Sequence, residues 1–192
     1  MRRVKSVRNA TLCFIILMIP VVCIGGKPGG KQGDKEDVPE EPGTAEKTPD
    51  YVLRDVVHYT YQEGDLRVMM EFENGLYYAD VEELHIENCS YVYYDMFGEV
   101  ESRGKSRRAT LYEDDSYLEA EDDVVVISEV NGAKLETDYL EWYGTRDQFV
   151  TESFVTVTRK NGDILQGIGM TADVALNYVT IKKDVRGSVK NE

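Results

Sequence analysis

The strongest constraint in this chain is a near-repetition. Residues 118–137 and 148–167 carry one pattern, in which Val125, Ile127, Asn131-Gly132 and Leu135 recur thirty positions later as Val155, Val157, Asn161-Gly162 and Leu165. An Asn-Gly pair between alternating apolar runs predicts a β-hairpin, because a type I′ turn needs φ > 0 at both central residues and its twist suits the flanking strands. A weaker third copy, Phe97-Gly98-Glu99-Val100-Glu101-Ser102, resembles Asn131 to Thr137 in its turn glycine and following strand. Successive hairpins of similar length predict an elongated or sandwich-like antiparallel sheet.

The rest of the body agrees. Val52, Val56-Val57 and Tyr59-Thr60-Tyr61 open a first strand region, Leu66 to Phe72 alternates, and Glu73-Asn74-Gly75 reads as a turn. Between Gly75 and Leu84 the pattern fits a strand or a helical turn equally well. The runs 84–88, 91–94, 109–112, 117–120, 124–130, 133–142, 149–158, 164–170 and 178–183 are mostly rich in β-branched or aromatic residues and are bounded by Gly, Asp or Asn. The expected class is all-β.

Ahead of the body stand three segments of different character. Residues 1–9 hold Arg2, Arg3, Lys5 and Arg8 with no acid, and residues 10–26 carry no charge. That pairing predicts a membrane-anchoring helix or export signal with its N-terminus inside. No A-x-A-like site follows, so an uncleaved anchor is favoured over a cleaved signal or a lipid-modified Cys23. Residues 27–50 are rich in Gly, Pro, Lys and Glu and lack aromatics, the composition of a flexible tether. The folding unit is then 51–187, with 188–192 as a tail.

Charge and chemistry exclude several functions. The chain holds 22 basic and 36 acidic side chains; without the four bases of the start, 18 face 36, a net of −18. Such a body is repelled by phosphate backbones, so nucleic acid is not expected as a partner. Cys89 is alone in the body, since Cys13 and Cys23 lie in the apolar run, so it makes no internal disulfide and reads as a small buried residue. His58 and His85 are the only imidazoles and neither adjoins a nucleophile elbow, so neither enzyme activity nor a cofactor is expected. Glu113-Asp114-Asp115 and Glu121-Asp122-Asp123 lack the alternating spacing of a calcium loop and read as solvated turns, so no metal is expected. Arg103, Lys105, Arg107 and Arg108 read as a solvated basic turn, or else as a receptor for an anionic headgroup. Gly167 and Gly169 leave one strand face bare, for a bulge or for close approach of a ligand.

In the paired copies, Val125 with Ile127 and Val155 with Val157 share one side of their strands, and Leu135 and Leu165 fall at matching places after each turn. Stacked in register they draw an apolar stripe. Two layers of side chains could fill it as an ordinary sandwich core, or a V-shaped sheet could leave it for acyl chains. Burial by protein and burial by lipid require the same residues.

The C-terminal part carries a resemblance. Leu135 to Tyr143, Phe149 to Val157, Gly162 to Met170 with its Gly-x-Gly strand, and Val179 to Gly187 resemble the C-terminal half of the LptC family, the single-anchor periplasmic component of lipopolysaccharide export. The order of parts, basic start, apolar segment, tether and β body, is similar too, although the tether is longer and more charged and the Ser102–Arg108 stretch looks inserted.

The resemblance implies an antiparallel β-jellyroll, V-shaped, with a two-sheet groove. It would be a non-enzymatic carrier in the inner membrane with its main domain in the periplasm. It would accept lipopolysaccharide or a related glycolipid from an LptF/LptG/LptB-type ABC transporter and pass it to an LptA-type bridge protein. On that reading the groove candidates are Val125, Ile127, Leu135, Leu140, Trp142, Val155, Val157, Leu165 and Ile181. The N-terminal edge, Val52, Val56 and Tyr59, would meet the transporter, and the C-terminal edge, Val179, Ile181 and Val185, the bridge. The alternatives are the soluble bridge protein itself, or a surface or periplasmic lipoprotein or adhesin with a packed β-sandwich.

Overall fold

The computed structural model describes residues 47–112 and 117–190. Nine strands follow one another: β1 (Tyr51–Gln62), β2 (Asp65–Tyr78), β3 (Glu83–Tyr94), β4 (Val100–Tyr112), β5 (Tyr117–Ser128), β6 (Lys134–Tyr143), β7 (Gln148–Thr158), β8 (Ile164–Asp173) and β9 (Val179–Ser188). Each pairs antiparallel with its sequence neighbour, in the order β1 to β9. β1 and β9 do not pair with each other, so the sheet is open. This is the all-β antiparallel architecture expected. Residues 10–26 lie outside the described residues, and among the described residues no helix is long and apolar enough to cross a membrane.

The three glycine turns singled out from the sequence are hairpins, but not of the expected type I′ form, which occurs instead between β1 and β2, where Glu63 and Gly64 have φ of 56° and 99°. In the β7–β8 turn Gly162 N donates to Arg159 O at 2.8 Å, and Gly162 alone of its Asn-Gly pair has positive φ, at 89°. The β3–β4 turn repeats this with Gly98 at φ 81° donating to Asp95 O, and the β5–β6 turn is one residue longer, with Gly132 at φ 71° donating four positions back to Ser128 O. These are αR turns closed by one left-handed glycine, a shape that adds a residue to the loop and that asparagine enters at αR. Asn74-Gly75 is no turn at all. β2 continues to Tyr78, and Gly75 is required because a Cβ would lie 2.8 Å from the Phe72 ring. The ambiguous stretch resolves as strand to Tyr78 and a turn over 79–82.

A line of pairing breaks crosses every strand near its middle. The ladders skip Asp55 and Glu73, Asn88 and Arg107, Asp122-Asp123, Asp138, Glu152-Ser153, Gly169 and Asp184. Asp55, Asn88, Asp122, Asp123, Gly169 and Asp184 all have φ between 50° and 72°. Asp, Asn and Gly are the residues that enter the left-handed region at least cost, so the sequence encodes this crease. Bulges bend strands and add twist, and a row of them folds one sheet upon itself.

The folding is visible in contacts between strands that are not neighbours. Tyr93 of β3 meets Trp142 of β6 edge to face at 6.3 Å, and Tyr91 meets Phe149 of β7 at 6.4 Å. No two non-adjacent strands bring Cα atoms within 8 Å, so the walls touch through side chains alone. Facing sheets stand about 10 Å apart for this reason.

Candidate functional site

The interior is built from one register row that crosses the whole sheet: His58, Met70, Tyr91, Gly104, Val126, Leu135, Val157, Leu165 and Gly187. Parallel to it run Val124, Thr137, Val155 and Gly167. Alternation puts both rows on the inward face, and Val126, Leu135 and Val155 are wholly buried. Between the walls lies a cavity of about 40 Å³, bounded by Val68 and Met70 of β2, Cys89, Tyr91 and Tyr93 of β3, Leu118, Ala120 and Val124 of β5, and Leu140, Trp142 and Phe149 beyond. Ligand pockets run to roughly 300–1,000 Å³, so an acyl chain enters this interior only if the walls part.

The predicted groove residues divide. Leu135, Leu140, Val155 and Val157 are in the core; Trp142, Leu165 and Ile181 are partly buried and pack against it. Val125 and Ile127 are on the outer face, Ile127 being 44% exposed, and the inward stripe of β5 runs through Val124 and Val126 instead. The cause is the thirty-residue offset: the inward positions of β5 are even-numbered on both sides of the Asp122-Asp123 break, Leu118, Ala120, Val124 and Val126, whereas those of β7 are odd, Phe149, Thr151, Val155 and Val157, so carrying Val155 and Val157 back thirty positions lands on the outer face of β5. Val68, Met70, Tyr91, Tyr93 and Phe149 were not singled out from sequence, although the spacing of Val68, Met70 and Phe72 held the signal.

At the edges, Val52 and Val185 are more than half exposed, Val56 packs against the core and Tyr59 is half-buried. On β9 only Val179 and Ile181 reach the core; its other strand residues are exposed. Each end strand has a strand neighbour on one side only among the described residues, so its outer edge is a sheet edge.

The basic stretch is not a turn. Arg103, Arg107 and Arg108 stand on the outer face of β4 and pair with Glu129, Asp123 and Glu121-Asp122 of the β5 side. The Glu121-Asp122-Asp123 cluster is likewise mid-strand and matched by arginines; Glu113-Asp114-Asp115 lies outside the described residues. Gly167 sits where β9 leaves no room for a side chain: a Cβ would lie 2.5 Å from Ile181 Cγ2 and 2.6 Å from Lys183 O.

Burial tunes the groups of the interior. The Cys89 thiol is pushed up to about 12 and the His58 imidazole is held below its ordinary 6.5, both by desolvation. The phenols of Tyr91 and Tyr93 are raised, again chiefly by burial. The Tyr91 hydroxyl lies beside Ser102 without reaching ordinary hydrogen-bond geometry. Among the described residues no cluster of metal-ligating side chains occurs.

An antiparallel sheet folded around an apolar interior, with its two end strands not joined to each other, defines an all-β open-sheet protein. The chain belongs to the LptC family: the family model described as lipopolysaccharide-assembly, LptC-related, matches residues 15–190, nearly the whole chain. Membership implies a role in lipopolysaccharide transport, in a family of inner-membrane-anchored periplasmic proteins. No curated protein matches the chain.

Proposed function

We propose that this protein is a passive lipid carrier of the lipopolysaccharide export pathway, a β-jellyroll anchored by residues 10–26. It accepts the acyl chains of a glycolipid from an inner-membrane ABC transporter along β1 and hands them to a bridge protein along β9. The observation that carries this reading is the inward apolar row running unbroken from Met70 to Leu165 in a sheet left open at both ends. Each methylene moved from water into such an interior gains about 0.8 kcal/mol, and the same gain is available in either direction. Net movement therefore comes from the transporter. Free strand edges supply the means of docking, by extension of one sheet into the next.

Photo-crosslinkers at Val126, Val155 and Leu165 test it, with Ile127 on the outer face as the control. Capture of glycolipid at the first three positions and not at the fourth supports conveyance. Capture of protein side chains alone at all of them favours the second reading, to which the 40 Å³ cavity lends weight: a tethered docking module whose interior is packed core.

A further inference from the structure

Two kinds of contact join the facing walls. Tyr91 with Phe149 and Tyr93 with Trp142 are ring contacts, which an acyl chain can replace with contacts of its own. The third link is polar. Arg67 on β2 donates from its guanidinium to the Tyr93 hydroxyl at 2.8 Å and reaches Asp147 Oδ2 at 3.4 Å, while Tyr93 donates to Asp147 Oδ1. Asp147 comes from the β6–β7 turn of the opposite wall. A hydrocarbon chain offers nothing to these three groups, so they must be separated, not substituted, when the walls part.

Asp147 also holds a second element. Its carbonyl accepts from Val174 N at 3.2 Å, at the start of the β8–β9 loop. That loop is sunk into the interior, with Val174, Ala175 and Leu176 all buried, and Asn131 Nδ2 donates to the Ala175 and Leu176 carbonyls at 3.2 Å. Both Asp147 and Leu176 have positive φ, 50° and 54°. For leucine this is an outlying conformation, and such strain persists only where the surroundings over-determine it. Arg67, 16% exposed, keeps a buried Nε with no hydrogen-bond partner, so its pairing is incomplete in the closed arrangement.

We propose that Asp147 is a clasp: its side chain ties the β6–β7 wall to β2 and β3, its carbonyl seats the β8–β9 loop, and its release is the step that admits an acyl chain. The inference rests on the lipid-carrier reading for its purpose, but the clasp itself is tested without lipid. Cys89 is the reporter, since it borders the cavity, is buried, and carries a thiol raised by that burial. Iodoacetamide reacts with it only when the walls open.

The full chain is alkylated in detergent without added lipid, and Cys89 is followed by mass spectrometry as its own peptide, apart from Cys13 and Cys23. Asp147→Asn removes the charge and keeps a residue that tolerates positive φ; Tyr93→Phe removes only the hydroxyl. Each is expected to speed Cys89 alkylation about tenfold or more, equivalent to about 1.4 kcal/mol, beyond what its urea midpoint accounts for. Val157→Ala, a core change remote from the clasp, is expected to speed it only as far as its lost global stability requires. Unchanged Cys89 rates in both clasp variants, or rises no larger than global stability explains, overturn the clasp. Fast alkylation combined with no lipid capture at Val126, Val155 and Leu165 leaves the clasp standing and removes the carrier reading.

Discussion

Gly104 carries the sharpest stability prediction. On β4 it lies directly between Tyr91 and Val126 in the inward row, and a Cβ there would stand 2.1 Å from Tyr91 Cε1, 2.6 Å from Cζ and 2.8 Å from the hydroxyl. Carbon atoms in contact settle at about 3.5–4.0 Å, so the ring must retreat by more than about 1 Å. It has little room: Phe149 faces it at 6.4 Å and buried Ser102 adjoins its hydroxyl. Overpacking of this kind costs about 1–3 kcal/mol. An unobstructed glycine at ordinary φ gains about 0.4–1 kcal/mol on becoming alanine. The sign therefore decides, and we expect Gly104→Ala to destabilise by about 2 kcal/mol. In urea, with an m-value near 2 kcal/mol/M, the midpoint falls by about 1 M. Trp142 is the single tryptophan and touches Tyr93, so its fluorescence follows the walls directly. Adding Tyr91→Leu should recover about 1 kcal/mol of the loss, a coupling that independent sites do not show. A midpoint unchanged or raised by Gly104→Ala alone refutes the packing argument.

Other expectations concern faces, turns and pH. Val126→Ala should cost about 2–3 kcal/mol and Ile127→Ala less than about 1 kcal/mol in the same urea assay, because only the first is in the core. Asn131→Ala should cost about 2 kcal/mol, since its amide donates to Ala175 O, Leu176 O and Asn177 Oδ1 and its own oxygen accepts from Ala133 N at 2.8 Å. His58 is held below its ordinary 6.5, so the unfolded chain binds the extra proton first. Stability from this site is full above about pH 6.5 and falls as the pH drops toward the folded value, and His58→Gln should flatten that limb of a urea-midpoint series from pH 7 to 5. Arg107→Ala and Arg108→Ala should each leave the urea midpoint essentially unmoved, because their ion pairs are exposed and screened by solvent.

The hairpins, their glycine ends and the antiparallel class were readable because each is written locally. Gly98, Gly132 and Gly162 mark their turns whatever the rest of the chain does. The type of turn was not readable from Asn-Gly, since asparagine serves αR and αL alike and the loop length decides. Faces were legible where one side of a strand is polar, as at Val155 and Val157 beside Thr156 and Thr158, and were lost at β5, where Val124 to Ile127 is apolar on both sides and the thirty-residue repeat does not preserve the face. The arginines of β4 misled for a related reason: a strand buried on one side only, with Gly104 on its inward face, has no apolar run to announce it. The clasp had no sequence signature, because Arg67 and Asp147 are 80 positions apart and meet only through the crease.

Because each strand bonds only to the one made just before or after it, the connectivity requires no distant segment to arrive before a hairpin can form. Low contact order of this kind favours fast, sequential zippering. A chain delivered unfolded through a membrane pore could consolidate from its leading hairpin onward, needing no partner strand still in transit. The same logic makes the architecture extensible: inserting a further hairpin lengthens the trough by two strands and rewires nothing.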